Sequence, residues 1–309
     1  AITVTNNGTI TSTGAGGMTG SVAGSSWTNA VNSTLNIAGP VLATGTLTAT
    51  AAPNTVNYNG AVAQTIKATT YHHLTVSTGG TKTAAGALRV NGDVTIGAGA
   101  TLALGTFSHS FKGNFTNNGA LTASTSTVTL NGSAAQSISG SSATSFNNLT
   151  INNASGISLS RAVTVTATLT FTSGNVTTGA NTLSSTGSVS RTSGHVVGNF
   201  QKNIATGATS RTFEIGDASN YTPVSVVFGS VTVAGNLTAS TASGDHANIG
   251  ATPINSAKSV NRTWAMTNTG ITFTNYSATF TFVPGDVDAG ANTSNFGVGK
   301  YAGGSWSYP

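Results

Sequence analysis

Thr127-Val128-Thr129-Leu130-Asn131-Gly132, running on to Ala135-Gln136-Ser137-Ile138, decides the fold, because the chain has already used the same pattern once. Seventy-two residues earlier it reads Thr55-Val56-Asn57-Tyr58-Asn59-Gly60 and then Ala63-Gln64-Thr65-Ile66. Apolar and small polar residues alternate in both copies, so successive side chains fall on opposite faces of a strand. The Asn-Gly pair that follows is a turn signal. A short strand, a turn and a second short strand therefore recur as a unit.

Working outward, Tyr71-His72-His73-Leu74-Thr75-Val76 matches Phe146-Asn147-Asn148-Leu149-Thr150-Ile151 at an offset of 75. The same offset pairs Leu88 with Val163, Val90 with Val165, Val94 with Leu169 and Ile96 with Phe171. A third echo joins Thr5-Asn6-Asn7-Gly8-Thr9-Ile10-Thr11 to Thr116-Asn117-Asn118-Gly119-Ala120-Leu121-Thr122. Self-similarity of this kind is the signature of a repeat architecture. Stretches 88–96, 125–130 and 163–171 alternate at period two and read as strands, with Gly, Asn-Gly and Gly-Ala pairs between strands. No proline lies between Pro53 and Pro223, so strand ladders can run unbroken there. The expectation is an all-β chain: a β-solenoid of stacked short strands over residues 1–195, with Val, Ile and Leu inside and Asn and Thr at the turns.

Near residue 196 the texture changes. Acidic residues, prolines and aromatics return, and 272–282 alternates without a break, as a strand or hairpin with one buried face would. Residues 196–309 are expected to form a β-sandwich of the immunoglobulin-like kind, with Trp264 and Trp306 packing in its core or rim.

The composition excludes several function classes. Of 309 residues, 93 are Ser or Thr, 30 are Asn and 39 are Gly, while charged residues make up 6%. Glu214 and five Asp supply every carboxylate side chain, and Asp93 stands alone before residue 214. Polysaccharide-cutting solenoids need several close carboxylates or a metal-bound base, so no enzyme activity is expected. Residues 1–195 carry Lys67, Lys82, Arg89, Lys112, Arg161 and Arg191 against Asp93. These cations could face an acidic polysaccharide or lipid surface, but they are too dilute to track nucleic-acid phosphates. No apolar run is long enough for a transmembrane helix, and with no cysteine there is no disulfide or thiolate metal site.

Few constellations could carry chemistry. His72-His73 is a tempting metal pair, yet the sister positions hold Asn147-Asn148 and adjacent strand residues face opposite ways, which favours a polar turn or ladder. His109, His195 and His246 are expected on solvated loops. In 285–292, Asp286 and Asp288 with Asn292 form the one oxygen-rich loop, a Ca2+ candidate against the simpler reading of an Asx-rich turn after Pro284. No other cofactor is expected. Thr-x-Thr runs such as 164–170 raise the idea of a regular face that matches an ordered lattice such as ice; the simpler reading is that Thr is a good, soluble strand residue.

The order Thr-Asn-Asn-Gly, then Asn-Gly-x-x-Ala-Gln-Thr/Ser-Ile, then Phe146-Asn-Asn-Leu-Thr-Ile-Asn-Asn-Ala154 resembles repeat modules of large secreted bacterial cell-surface proteins. Arg211-Thr-Phe-Glu-Ile-Gly-Asp217, Ser259-Val-Asn-Arg-Thr-Trp264 and Gly285-Asp-Val-Asp-Ala-Gly290 are similar to recurring parts of such proteins. The resemblance covers residues 114–309 well and the first fifty poorly. It implies a secreted, extracellular or cell-surface building block without catalytic residues. The expected function is therefore structural, as a subunit or segment of a surface filament, sheath, surface layer or adhesin stalk. The alternative is a binding module whose Thr/Asn face recognises carbohydrate or ice. Strand-like residues 2–5 and the coil signature 5–11 carry no edge-protecting charge. Ile2, Val4 and Ile10 are thus expected to meet Tyr301 and Trp306 of a second copy, giving a head-to-tail homopolymer, with surface polysaccharide as a further partner.

Overall fold

The computed structural model describes residues 1–20 and 22–309. The chain divides into two compact units, Ala1–His195 and Val196–Pro309.

The first unit is a β-solenoid of about 11 turns. One turn shows the plan: Arg89–Val90, Val94–Ile96 and Thr101–Ala103 lie in three different parallel ladders, and Ser108–Phe111 then returns beside Arg89–Val90. Partners on neighbouring coils are between 18 residues apart (Thr55 to His73) and 25 (Thr9 to Thr34). Alternation drives each strand. In Val94–Ile96 the two apolar side chains are buried and Thr95 faces out, so burial rewards the extended backbone that places both inward. Leu35, Val56, Leu74, Val94, Phe115 and Ile138 stack in one register column, each 2% exposed or less. Each contributes about 1.5–3 kcal/mol relative to exposure.

The corners are held by neutral amides. Gln64 accepts from Gly60 N at 2.7 Å through Oε1 and donates through Nε2 to the carbonyls of Ile37 and Gly39. Gln136 repeats this with Gly132 N at 2.8 Å and the carbonyls of Phe111 and Gly113. The Asn-Gly-x-x-x-Gln echo is thus one clamp used twice. Asn6 and Asn117 form a second recurring device, each accepting from the glycine two positions on, Gly8 and Gly119.

The echoes are not whole turns. Thr55–Tyr58 sits between Thr34–Ile37 and His73–Val76, whereas its copy Thr127–Leu130 sits in another ladder, between Ser108–Phe111 and residues 148–151. Likewise Thr9–Ser12 pairs with Thr34–Ile37, while its counterpart Ala120–Thr122 pairs with Thr101–Ala103. Both originals belong to the ladder of Val94–Ile96, but the first copy lies in that of Arg89–Val90 and the second in that of Thr101–Ala103, so neither echo keeps its face. The clamp and the Asn device each serve two of the three corners, the one entering the ladder of Val94–Ile96 and the one leaving it.

Two strand expectations need correction. Residues 88–96 do not form one strand: Asn91-Gly92-Asp93 turns the chain between Arg89–Val90 and Val94–Ile96. A Cβ on Gly92 would lie 2.7 Å from His73 Nδ1, so any larger residue there must displace the histidine side chains. The equivalent 163–171 does lie in one strand, Val163–Ser173, which rounds its corner by a register shift between Phe146 and Asn148 of its partner. In the second unit, 272–282 is divided into Thr272–Phe273 and Tyr276–Phe280, both on Val224–Val233. Gly229 N donates to the Asn275 carbonyl at the break.

That second unit has two antiparallel sheets. Val196–Ile204, Gly235–Ser243 and Arg262–Thr269 form one; Gly207–Phe213, Val224–Val233, Thr272–Phe273 and Tyr276–Phe280 form the other. They meet through buried Phe200 and Phe213, with ring centroids 6.3 Å apart, and through Trp264 and Phe280 at 5.1 Å. Trp264 is half-buried and donates to the Thr222 carbonyl.

Candidate functional surface

One solenoid face is a ruled array of polar side chains, all neutral except Arg89. Thr5, Thr28 and Thr48 stand in register, and an Ala49–Tyr71 bridge leads to Thr70, Arg89, Ser110, Thr129, Thr150, Thr170 and Ser190 on succeeding coils. Two residues before each of the last five stands a second column: Ser108, Thr127, Asn148, Thr168 and Ser188. Between the columns, His109, Val128, Leu149 and Leu169 point into the core. Polar groups therefore repeat about every 4.8 Å along the axis and about 6.6 Å across it. Neighbours tie some of them together: Thr168 Oγ1 lies 3.2 Å from Ser188 Oγ, and Ser110 Oγ donates to Asn131 Oδ1 at 2.9 Å. Chemically, such a face can offer hydroxyl and methyl groups in regular order.

The histidines separate into two kinds. His73 Nδ1 accepts from Asp93 N at 2.9 Å and lies 3.5 Å from the Asp93 carboxylate, with the His72 ring beside it at 4.2 Å. Burial, then the neighbouring His73, lowers the His72 pKa. His109 and His195 are not solvated loop residues: they are 2% and 4% exposed. The alternation of Ser108-His109-Ser110 turns the imidazole inward, where Leu88 N donates to Nδ1 at 3.1 Å and Nε2 meets the Leu104 carbonyl at 3.0 Å. Burial lowers its pKa, with the Leu104 contact partly opposing. His246 is half-buried against Tyr301 and Trp306.

Nor do all the solenoid cations face outward. Lys82 is fully buried, its Nζ donating to the carbonyls of Gly60, at 2.5 Å, and Gly79. Burial lowers its pKa. Lys67 Nζ donates to the Leu42 carbonyl at 2.7 Å. The strand Thr81–Ala84 sets Lys82 at an inward position, between Gln64 and Leu102 on the adjoining coils. Backbone carbonyls at the corner receive the ammonium there.

The oxygen-rich loop is occupied by protein partners. Asp286 accepts from Arg262 Nε at 2.6 Å and Nη2 at 2.9 Å, and Arg262 Nη2 also reaches Asp217 at 2.7 Å. Asp288 accepts from Ser259 N at 2.8 Å and Asn261 Nδ2 at 2.7 Å, and Asn292 accepts from Ser294 N at 3.0 Å. Asp286, Asp288 and Asn292 thus hold three separate local contacts. Hydrogen bonds from Ser259 and Asn261 lead in lowering the Asp288 pKa. No cluster of three or more metal-ligating side chains gathers among the described residues.

The expected assembly residues lie in two places. Ile2 is 72% and Ile10 37% exposed. Val4, paired with Trp27, helps line an apolar pocket of about 260 Å3 with Met18, Trp27 and Leu42. Tyr301 faces Trp306 across the hairpin of Lys300–Ala302 and Ser305–Ser307, ring centroids 5.2 Å apart. Polarity alone does not mark the Gln64 and Gln136 clamps as structural; the signal for them is their identical spacing after Asn-Gly in both copies.

No protein-family model, curated protein or solved structure matches this chain.

Proposed function

We propose that the chain is a non-catalytic, extracellular or cell-surface structural segment that extends by stacking coils on further copies of itself. The observation that carries this reading is one-sided pairing. Among the described residues, Thr3–Asn6 pairs with Ser26–Asn29 alone and Thr9–Ser12 with Thr34–Ile37 alone. No described residue pairs with their other edges, whose N–H and C=O groups can take a strand from further chain or from a second copy. Exposed Ile2 and Ile10 add apolar surface to the same coil. Tyr301 and Trp306 are the proposed counterpart on the next copy, and a contact of that heterologous kind builds an open filament. With so little charge involved, the polymer should tolerate salt. Negative-stain microscopy and light scattering test the proposal: the 309-residue chain should polymerise and a 12–309 variant should remain a folded monomer. A chain that stays monomeric at high concentration, or a shortened variant forming the same fibres, overturns it.

The two-column face supports a second reading, in which the solenoid binds an ordered carbohydrate or ice lattice. Ten positions in register on five successive coils, all Ser, Thr or Asn, favour it. Co-sedimentation with crystalline polysaccharide and inhibition of ice recrystallisation test it. Replacing Thr150 by Lys should abolish either effect without unfolding the chain, and an unchanged effect rules the face out.

A further inference from the structure

Five Asn-Gly bonds punctuate the solenoid, at Asn7, Asn59, Asn91, Asn118 and Asn131. In a flexible chain this dipeptide deamidates readily. The glycine nitrogen loses its proton and attacks the asparagine Cγ, an N–C bond closes a five-membered imide, and the side-chain nitrogen leaves as ammonia. Water then opens the imide to aspartate or isoaspartate. The step needs a glycine N–H that base can reach and a backbone free to swing that nitrogen onto Cγ.

Every one of the five glycine N–H groups is already donating a hydrogen bond. Gly60 gives to Gln64 Oε1 at 2.7 Å and Gly132 to Gln136 Oε1 at 2.8 Å. Gly92 gives to the His72 carbonyl at 2.8 Å. Gly119 gives to Asn117 Oδ1 at 3.2 Å and Gly8 to Asn6 Oδ1 at 3.1 Å. The protection is graded. Gly60 and Gly132 are buried, and their glutamines are pinned by two carbonyls each. A Cβ there would sit 2.4 Å from the Ala38 oxygen or 2.3 Å from the Lys112 oxygen, so the backbone has no room to swing. Asn131 and Asn118 are further held through their own Oδ1 atoms, by Ser110 and by Ser141. Asn7 and Gly8 are both exposed, and nothing lies within 4 Å of a Cβ built on Gly8.

We infer that the corner amides guard the solenoid backbone against deamidation, with Gln64 protecting Asn59 and Gln136 protecting Asn131, and that Asn7 is the modification site of the folded chain. Conversion there to isoaspartate adds a backbone methylene and a negative charge beside Asn6, whose Nδ2 donates to Asn29 Oδ1 at 3.1 Å. The product should therefore loosen the first coil.

The test needs the chain as it is. Native and urea-unfolded protein are held at pH 8 and 37 °C for weeks, and isoaspartate is mapped by peptide mass spectrometry. Unfolded, all five sites should convert at comparable rates. Folded, Asn7 should convert first, and Asn59 and Asn131 should slow by about tenfold or more, because attack must await local opening. A Gln136→Leu variant should speed conversion at Asn131 while Asn59, in the same sample, keeps its rate. The inference is overturned if Asn59 or Asn131 converts in the folded chain as fast as in urea, if another Asn-Gly precedes Asn7, or if the folded Gln136→Leu variant leaves Asn131 unchanged.

Discussion

The two units solve one problem, the buried polar group, in opposite ways. In the solenoid the interior polar side chains are largely neutral: Gln64, Gln136, Asn6, Asn29, Asn117 and Asn153 are at most 6% exposed and hydrogen-bonded. The second unit uses ion pairs. Arg262, with a fully buried side chain, is gripped by Asp286 and Asp217, and Lys202 lies 2.7 Å from Glu214 between the Phe200 and Phe213 rings. The difference follows from topology. A parallel coil leaves glycine N–H groups and carbonyls together at each corner, and one amide both accepts and donates. Burying an amide also costs far less than burying a charge. In the second unit Arg262 ties together groups distant in the chain, which a short amide cannot span.

The sharpest way to break this comparison is Arg262→Met. Two carboxylates would lose their partner, and breaking a buried pair costs about 3–5 kcal/mol. Calorimetry should show the second unit's transition falling steeply while the solenoid's stays put; a common shift would mean the units do not stabilise separately.

Next comes Gln136→Ala, which orphans Gly132 N–H and the carbonyls of Phe111 and Gly113, for a loss of about 2–3 kcal/mol in the solenoid. Gln64→Ala should cost less by no more than about 1 kcal/mol, since the clamp is shared and Gln136 Oε1 differs only in also accepting from Asn153 Nδ2 at 2.9 Å. Denaturant titration of each variant measures it, and strongly unequal losses would end the equivalence of the two corners.

Acidification should separate the units more gently. His109 is held neutral below its ordinary value near 6.5. The unfolded chain therefore gains a proton first, so the solenoid keeps full stability above that pH and loses it as pH falls below. Asp217 behaves differently. Burial would raise its pKa, but Arg262 and the N–H groups of Ser219 and Asn220 outweigh that and hold it far below 3.8. Its contribution persists until pH drops below about 4. Melting curves between pH 7 and 4.5 should thus show the solenoid weakening first, and the reverse order would refute the assignment.

The smallest effect is expected from His72→Asn with His73→Asn. Asn147 and Asn148 fill the sister positions, so stability should change by less than about 1 kcal/mol. A larger drop in melting temperature would show that the His73–Asp93 contact matters.

Much of this was legible in the residues. Alternation at 127–130 and 55–58 announced strands, and Asn131-Gly132 and Asn59-Gly60 announced corners, because those signals are local. The burial of His109 and Lys82 was harder to see. Both sit at inward positions of their strands, yet polarity argued for solvent, and the groups that satisfy them come from elsewhere: Leu88 N lies 21 residues from His109 and Gly60 O 22 from Lys82. The engagement of Asp286 was hidden for the same reason, since Arg262 is 24 residues away.

The sequence by itself determined that this chain is all-β, that short strands recur with fixed corner chemistry, and that the texture changes near residue 196. Those features follow from side-chain alternation and from turn residues acting within a few positions. Tertiary structure alone decided which ladder each repeat occupies, and hence which hydroxyls fall into register. The echoes of 72 and 75 residues do not fill whole turns, so Thr55 and Thr127 share a pattern and face different neighbours. A strand's alternation says which side chains point inward. Which coil lies above it depends on the length of every corner between, and that adds up only when the chain is wound.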